Sequence, residues 1–287
     1  MAFNLKSFGK TLVYKGSPSA IQLQANFKQI AEQDKQAEKK RSRYLIAACI
    51  FGFGAFFTII WASSSFGLTL ASIFAAVAVI TLILGIRWGR LDIPDLRYKL
   101  PTRLVDMLGR DMVKGAAFDV RVDFSNPTHK KKQTAKAPWP GRRGWTQRTF
   151  EDPWLQLSGQ FLDNTLFVLM LTDLTVVRSG SKRSRSGKTK YKKKTKPKGM
   201  EAKLLLKFPR KRYGAVTALQ SDLEGAVNLP QSVMLKKIKV NDHQLLIKAK
   251  VSPYGLDEDG LYQLFTQMLL SAYQVLNLSK ELSKSSI

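Results

Sequence analysis

Two long apolar runs dominate the hydrophobic pattern of this chain. They cover residues 44–62 and 66–86, and a short turn of three serines separates them. Neither run contains a charged residue, and each has about the ~17–25 apolar residues that are needed to cross a bilayer. Backbone polar groups in hydrocarbon must be hydrogen bonded internally, so each run is expected to be a helix. The pattern therefore predicts a two-helix transmembrane hairpin over residues 44–88.

Small residues suggest how the two helices would touch. Ala48 and Gly52 lie four residues apart on the first run, as Ser72 and Ala76 do on the second. This spacing lets two helices approach closely in a bilayer, so we expect these four residues at the contact. The alternative is a helical hairpin buried within a water-soluble protein, which two adjacent charge-free runs of this length disfavour.

Basic residues flank the hairpin and predict its orientation. The serine turn contains no Lys or Arg, whereas both outer flanks of the hairpin are basic. The flanking cations are Lys35, Lys39, Lys40, Arg41, Arg43, Arg87, Arg90, Arg97 and Lys99. The cytoplasmic flanks of transmembrane helices carry an excess of Lys and Arg. Both termini are therefore expected to lie in the cytoplasm.

Residues 1–43 are predicted to form an N-terminal cytoplasmic segment that leads into the membrane. Ser17, Pro18 and Ser19 are typical of a helix start. No strong helix breaker follows between Ala20 and Arg43. We therefore expect a juxtamembrane helix that is continuous with the first apolar run.

Residues 89–287 predict a basic cytoplasmic α+β domain with a mainly antiparallel sheet and flanking helices. Helices are expected over 101–112 and 257–282, and the apolar stripe of the second is typical of a helix that faces a core. Alternating apolar residues and turn signals predict the strands. These strands are expected at 117–124, 154–162, 165–177, 202–208, 216–219, 236–240 and 244–251.

Two stretches of this domain are predicted to be mobile loops. Residues 125–153 contain several prolines and a lysine run, and residues 180–199 are rich in Ser, Thr and Lys. Like charges at this density repel one another and keep a segment extended. In the first stretch, the aromatic residues Trp139, Trp145 and Phe150 alternate with basic residues.

The distribution of charge along the chain predicts the candidate functional site. The chain has 287 residues and a formal net charge of +26, which indicates anionic partners rather than a particular fold. The candidates for binding such a partner are most of the cations of the two predicted loops. They are Lys130, Lys131, Lys132, Arg142, Arg143, Lys182, Arg183, Arg185, Lys188, Lys190, Lys192, Lys193, Lys194, Lys196 and Lys198.

Little in the sequence indicates catalysis or a metal site. His129 and His243 are the only histidines, and neither has a second ligand at metal-binding spacing. The one cysteine, Cys49, lies within the first apolar run. No cofactor is therefore expected. The alternative is an enzyme whose site is assembled from dispersed acids, which would be Asp119, Asp123, Asp163 and Asp173.

The sequence thus predicts a non-enzymatic integral membrane protein that acts as a scaffold or assembly subunit. Its basic domain would contact anionic lipid head groups of the bilayer, or an acidic protein in a larger membrane complex. A membrane tether for nucleic acid is the alternative, because phosphates attract the same cations and Tyr191, Trp139 and Trp145 could stack on bases. A solvated basic loop without a dedicated partner is the plainest interpretation.

Overall fold

The computed structural model describes residues 3, 5–61, 65–184, 186–220, 225, 227 and 229–285. The chain forms two compact units. One unit holds Thr11–Gln24 and the chain from Lys99 onward, and it contains the sheet. The other unit holds Phe3–Lys10 and Ala25–Tyr98, and it contains the two apolar runs. The fold is α+β, as the sequence predicts.

Four helices of the described residues correspond to predicted ones with shifted ends, and two short helices, Leu5–Thr11 and Arg210–Tyr213, were not predicted. The helices are α1 (Leu5–Thr11), α2 (Ala20–Trp61), α3 (Ser65–Trp88), α4 (Leu96–Gly109), α5 (Arg210–Tyr213) and α6 (Glu258–Ser285). Short 3-10 turns cover Gly89–Leu91, Lys130–Lys132 and Val216–Leu219. The strand predicted at 216–219 is therefore wrong. Helix α2 is one element from Ala20 to Trp61, which confirms the predicted continuity of the juxtamembrane helix with the first apolar run.

Helices α2 and α3 pack against each other as an antiparallel hairpin. A Cβ atom added at Gly54 of α2 would lie 3.3 Å from the ring of Phe74 in α3. At the other end of the hairpin, a Cβ atom added at Gly85 would lie 3.3 Å from the side chain of Leu45. The rings of Phe51 and Phe74 have centroids 6.1 Å apart. The two backbones therefore approach closely at two glycines.

The predicted set of small contact residues is wrong for three of its four members. Gly52, Ser72 and Ala76 are exposed, and nothing lies within 4 Å of a Cβ atom built at Gly52. The buried small residues are instead Ala55 and Ala71. Small residues recur around both helices, so their spacing alone does not define which face meets the partner helix.

The outer surface of the hairpin is apolar. Only 6% of the most apolar 18-residue window of the first helix is buried, and only 11% of that of the second. By length and composition both helices are able to cross a membrane. The large side chains that are more than half exposed include Ile46, Ile50, Phe53, Phe56, Phe57, Ile60, Phe66, Leu68, Ile73, Ile80, Ile83 and Ile86.

The sheet of the other unit is antiparallel throughout its named pairs. Its strands are β1 (Val13–Gly16), β2 (Asp119–Asp123), β3 (Gln133–Pro138), β4 (Trp145–Gln160), β5 (Leu166–Arg183), β6 (Thr189–Lys207), β7 (Val233–Asn241) and β8 (Gln244–Val251). The strand order is β1-β2-β4-β5-β6-β8-β7, and β3 pairs with β4. Along one edge of β4, β3 pairs near the start of the strand and β2 near its end.

The core of this unit is a row of apolar side chains that lie in register across five strands. Val120, Leu157, Leu169, Leu204 and Ile247 are directly opposite one another in β2, β4, β5, β6 and β8. Each of them is 0% exposed. The apolar stripe of α6 is buried as well, which confirms the predicted core-facing helix. Its most buried members are Leu261, Leu264, Phe265, Met268, Ala272 and Leu276.

Both stretches that were predicted as loops are largely strands. Residues 125–153 contain β3 and the first half of β4, and residues 180–199 contain the end of β5 and the first half of β6. Backbone pairing with neighbouring strands supplies the order that side-chain burial does not. We call β3, β4 as far as Asp152, β5 from Asp173 and β6 as far as Gly199, with the turns between them, the basic arm.

Candidate anion-binding cleft

The register of the basic arm separates its cations between two faces. In the β5–β6 pair, Arg178 lies opposite Lys194, and Gly180 lies opposite Lys192. Directly opposite residues of an antiparallel pair share a face, and successive residues alternate between faces. Lys193 therefore lies on the face opposite to that of Lys192 and Lys194. The same rule places Trp145, which is opposite Gly180 across the β4–β5 pair, on the Arg178 face.

The turn from Trp139 to Trp145 closes one side of this face. Backbone hydrogen bonds tie the turn at both ends, since Trp139 N donates to Trp145 O at 2.8 Å and Trp145 N donates to Arg142 O at 3.2 Å. A Cβ atom at Gly141 would lie 2.6 Å from the indole of Trp139. Glycine is therefore required at Gly141 for Trp139 to fold over its own turn. The indole rings of Trp139 and Trp145 have centroids 5.6 Å apart.

The two tryptophans position two arginines. The guanidinium of Arg178 lies over the ring of Trp139 at 4.6 Å from its centroid, and that of Arg142 lies over Trp145 at 5.1 Å. Arg178 Nε also donates a hydrogen bond of 2.9 Å to the side-chain oxygen of Gln147. Stacking of a guanidinium on an aromatic face is favourable by about 0.5–1 kcal/mol at exposed sites. Both arginines are therefore held in place from within the arm.

The turn and the β5–β6 hairpin enclose a cavity of about 530 Å³. Its lining combines the two indoles with six cations and one glycine of the turn. The lining side chains include Trp139, Arg142, Trp145, Arg178, Lys182, Lys192, Lys194 and Lys196. We call this cavity the basic cleft. Every charged residue in 125–150 and in 174–200 is basic, and no ion pair of the described residues includes a cation of the cleft.

The structure brings together five of the predicted anion-binding residues and separates the others. Arg142, Lys182, Lys192, Lys194 and Lys196 line the basic cleft. Other predicted cations are exposed outside the cleft, and they are Lys130, Lys131, Arg143, Arg183, Lys188, Lys190, Lys193 and Lys198. Arg185 lies outside the described residues. Lys132 differs from all of these because its side chain is buried.

The prediction for Lys132 is corrected by its ion pairs. Its Nζ atom lies 3.0 Å from Asp123 Oδ2 and 2.8 Å from Asp152 Oδ1, and only 9% of the side chain is exposed. Lys132 Nζ also donates to the backbone oxygen of Ser125 at 3.1 Å. Burial acts to raise the pKa of Asp123, but hydrogen bonds from Ser125 and the charge of Lys132 outweigh it and lower that pKa. Lys132 thus stabilises the fold and is not available to an anionic partner.

Sequence reasoning did not find Arg178, which lines the cleft, or Gly180 and Gln147, which support its lining residues. Arg178 falls between the predicted strand that ends at 177 and the predicted loop that begins at 180. A Cβ atom at Gly180 would lie 2.6 Å from the indole of Trp145, so this glycine makes room for the ring. Gln147 carries no charge and gave no signal. An alternating strand extended through residue 182 would have placed Arg178, Gly180 and Lys182 on one face.

The four acids of the enzyme hypothesis have separate surroundings. Asp123 binds Lys132, as described above. Asp173 accepts a hydrogen bond of 3.0 Å from Trp154 Nε1, and Asp119 is exposed on β2. Asp163 lies at the turn between β4 and β5, beside a second, apolar cavity of about 460 Å³. Neither Asp119, Asp123 nor Asp173 lines that cavity or the basic cleft.

Asp163 is tied to two tyrosines from other elements. Its Oδ2 atom accepts hydrogen bonds from Tyr213 and, at 3.1 Å, from Tyr273, while Oδ1 accepts from Thr165 N at 2.8 Å. Burial acts to raise the pKa of Asp163, but these hydrogen bonds outweigh it and lower the pKa. Burial, with a smaller contribution from the Asp163 carboxylate, raises the pKa of Tyr213 to about 12. The cluster therefore joins the β4–β5 turn to α5 and α6 as a structural contact.

The histidines have ordinary local positions. His129 Nδ1 accepts a hydrogen bond of 3.4 Å from Lys131 N at the start of the 3-10 turn. His243 lies in the turn between β7 and β8. Within the part of the chain that the structure describes, no three His, Cys, Asp or Glu residues are grouped as metal ligands.

Comparison with known proteins gives no assignment. No protein-family model matches the sequence, and neither the curated proteins nor the solved structures include a significant match.

Proposed function

We propose that this protein is a non-enzymatic, membrane-anchored scaffold whose basic arm contacts anionic lipid at the cytoplasmic surface of the bilayer. The observation that carries the proposal is the basic arm itself, in which no Asp or Glu occurs between residues 174 and 200. A polybasic segment near an anionic leaflet gains about 1 kcal/mol for each Lys or Arg close to the surface. Several such cations suffice to hold the arm on an anionic membrane.

The α2–α3 hairpin is the proposed anchor. Its outer surface carries large apolar side chains, and an exposed apolar surface of this extent on a soluble monomer would be unusual. An anchor in the same chain raises the local concentration of anionic lipid around the arm, so the arm needs little affinity of its own. The cations that flank the hairpin support a topology with both termini in the cytoplasm.

The single cysteine tests the anchor. Cys49 is exposed on the outer surface of α2. In lipid nanodiscs, a polar maleimide should leave Cys49 unmodified until the protein is denatured. The matched control is Lys39→Cys in a Cys49→Ala background, because Lys39 is exposed on the same helix ahead of the apolar run and should react at once. Rapid modification of Cys49 in nanodiscs would show that α2 lies in water.

Trypsin tests the topology, because the arm is rich in cleavage sites. Inside-out membrane vesicles should allow cleavage of the arm, whereas right-side-out vesicles should protect it. Cleavage of the arm from outside intact cells would overturn the proposed orientation.

Binding to vesicles tests the role of the arm. Full-length protein in phosphatidylcholine nanodiscs should bind vesicles that contain about 30% phosphatidylserine and release them as salt rises, since ions screen exposed charges within about 8 Å at 0.15 M. Substituting four lysines of the arm by Gln should weaken binding at least about tenfold. These lysines are Lys182, Lys190, Lys192 and Lys193.

A control variant of equal net charge separates the arm from total charge. It replaces four exposed lysines that lie outside the arm, namely Lys114, Lys207, Lys211 and Lys239, by Gln. The control should bind vesicles as the wild type does. An equal loss in both variants would mean that net charge, and not the arm, attracts the membrane.

Extraction in a mild detergent tests the scaffold role. A scaffold or assembly subunit should be recovered in a stoichiometric complex with its protein partner. Recovery of a lone monomer from native membranes would contradict this part of the proposal.

Nucleic acid is the second candidate partner, and one exposed residue favours it. Tyr191 is 68% exposed among the cations of β6 and could stack on a base. Protein purified at low salt should then carry ultraviolet-absorbing material that high salt removes. Protein that is free of such material at low salt would exclude this candidate.

A further inference from the structure

We propose that the basic cleft binds a ligand that carries at least two phosphate groups. This inference deepens the proposed function and rests on it, because it names the chemistry that one part of the basic arm recognises. The rest of the arm would contact an anionic surface through exposed charge alone. The cleft would instead be a discrete site with a defined set of ligands.

The two arginines of the cleft are suited to phosphate by their geometry. A guanidinium presents a planar fork of N–H donors that matches two phosphate oxygens, which makes arginine effective where bidentate recognition is needed. Arg178 is fixed by the ring of Trp139 and by Gln147, and Arg142 by the ring of Trp145. Both side chains thus lose little rotational freedom when a ligand binds, which improves affinity.

The lysines of the cleft add charge around the two arginines. Lys182, Lys192 and Lys194 line the same cavity, and no acid of the described ion pairs neutralises them. Elsewhere in the sheet, Lys236 and Lys248 share the carboxylate of Glu201. The surplus charge in the cleft therefore favours a ligand with several negative charges.

The size of the cavity exceeds that of a single phosphate ion. Its volume of about 530 Å³ falls within the range of about 300–1,000 Å³ that is common for sites that enclose small organic ligands. A phosphorylated sugar or polyol is thus of suitable size. Its phosphates would meet the arginines and lysines, and its ring would lie against the exposed part of Trp139.

The aromatic rings of the cleft are not available as a platform for bases. Trp145 is only 4% exposed, and the guanidinium of Arg178 covers a face of Trp139. Tyr191 lies opposite Ser181, on the other face of the β5–β6 pair. Stacking of successive bases, which single-stranded nucleic acid uses for affinity, is therefore not offered within the cleft.

The same phosphate chemistry occurs in a lipid head group and in a soluble molecule, so the test compares one probe of each kind. Full-length protein in phosphatidylcholine nanodiscs is titrated with inositol 1,4,5-trisphosphate as the soluble probe. In parallel, it is titrated with phosphatidylcholine vesicles that contain about 5% phosphatidylinositol 4,5-bisphosphate. Tighter binding of the vesicles identifies a lipid head group as the source, and equal binding identifies a soluble phosphate.

Two double variants of equal net charge test the role of the cleft. Lys192→Gln with Lys194→Gln removes two cations that line the cavity, and should weaken binding of both probes at least about tenfold. Arg183→Gln with Lys193→Gln removes two exposed cations of the arm that do not line it, and should change binding of the soluble probe less than about threefold. All four residues are exposed, so both variants are expected to fold.

Two further variants change the shape of the cleft and keep its charge. Arg178→Lys retains the positive charge but removes the planar set of N–H donors of the guanidinium, and should weaken binding about tenfold. Gly180→Ala places a methyl group 2.6 Å from the indole of Trp145 and should displace the ring, with a similar loss. If Gly180→Ala fails to fold, Arg178→Lys still decides the question.

The outcomes separate this inference from the proposed function. Equal losses of soluble-probe binding in the two double variants, or unchanged binding of that probe in Arg178→Lys, would overturn the cleft as a discrete site. Failure to bind either probe would overturn it too. In each case, binding of phosphatidylserine vesicles by the arm would leave the proposed function standing, and loss of that binding would remove both.

Discussion

The ammonium of Lys132 lies 2.8 Å from the carboxylate of Asp152, which is completely buried. Asp123 completes the cluster from β2, at 3.0 Å from the same ammonium. Lys132 belongs to a run of three lysines, and Lys130 and Lys131 are exposed. One member of a run that resembles a simple charged surface is thus part of the folded core.

Removing this ammonium should destabilise the protein. In Lys132→Met, two carboxylates lose the cation between them, and breaking a buried pair by removing one partner costs about 3–5 kcal/mol. Thermal or denaturant unfolding of the full chain in a mild detergent measures the loss. The control is Lys131→Met, which should stay within about 0.5 kcal/mol of the wild type because the residue is exposed. Equal stability of the two variants would show that the cluster contributes nothing.

The contacts of Asp163 predict a second loss of stability. Asp163→Asn weakens the charge-assisted hydrogen bonds from Tyr213 and Tyr273, and should lower the free energy of unfolding by about 1–3 kcal/mol. Asp106→Asn is the control, because Asp106 takes part only in an exposed ion pair with Arg110 within the described residues and such pairs contribute about 0–1 kcal/mol. A control that loses as much as Asp163→Asn would contradict a specific role for the cluster.

The stability difference between wild type and Asp163→Asn should depend on pH in a defined direction. The pKa of Asp163 is lowered by folding, so its contribution is fully present above the unfolded pKa of about 3.9. The contribution is lost as pH falls through the lower, folded pKa. The stability difference between wild type and Asp163→Asn should therefore be largest near neutral pH and shrink below about pH 4. A difference that grows on acidification would show that the pKa is raised instead.

Alkaline titration examines the tyrosines themselves. Burial and nearby carboxylates raise the pKa of Tyr98, Tyr213 and Tyr273, to about 12 for Tyr213. Tyrosines in the unfolded chain ionise near pH 10. Because the three folded tyrosines ionise only at higher pH, the free energy of unfolding should fall as pH rises above about 10. Absorbance of tyrosinate after a jump to about pH 11 should show a fast phase and a slow phase that follows unfolding.

Two phenylalanine variants assign the phases of that titration. Tyr273→Phe should reduce the slow phase alone. Tyr254→Phe should reduce the fast phase alone, because Tyr254 is 91% exposed. If Tyr273→Phe reduces the fast phase, its hydroxyl is accessible and the cluster around Asp163 is open in solution.

The sequence predicted those elements whose apolar residues repeat at a regular spacing. The first apolar run forms the last part of α2 and the second forms most of α3. The stripe that contains Phe265 forms the buried face of α6. The strands expected at 154–162 and 165–177 form the paired β4 and β5, and Asn164 in the turn between them adopts a φ of 65°. In these cases the signal lies within a few neighbouring residues.

The basic arm could not be predicted in the same way, because its order comes from partners that are distant in sequence. Residues 190–196 are exposed on both faces, so no apolar alternation marks the strand. The backbone pairs that hold it join Lys190 to Lys182 and Lys194 to Arg178. The same limit applies to Lys132, since nothing in a run of three lysines indicates which one meets Asp123 and Asp152.

The packing of α2 against α3 supports a last prediction. A leucine should disturb the hairpin only where it replaces a glycine at the contact between the two helices. Gly85→Leu should force the helices apart, because even a Cβ atom there would lie 3.3 Å from Leu45, and overpacking costs about 1–3 kcal/mol. Gly52→Leu adds the same side chain where nothing lies within 4 Å and should be neutral. Energy transfer between dyes at Lys39→Cys and Arg90→Cys, in a Cys49→Ala background, measures the separation of the helices in nanodiscs. Lower transfer in the Gly52 variant than in the Gly85 variant would mean that the helices meet on the face that Gly52 occupies.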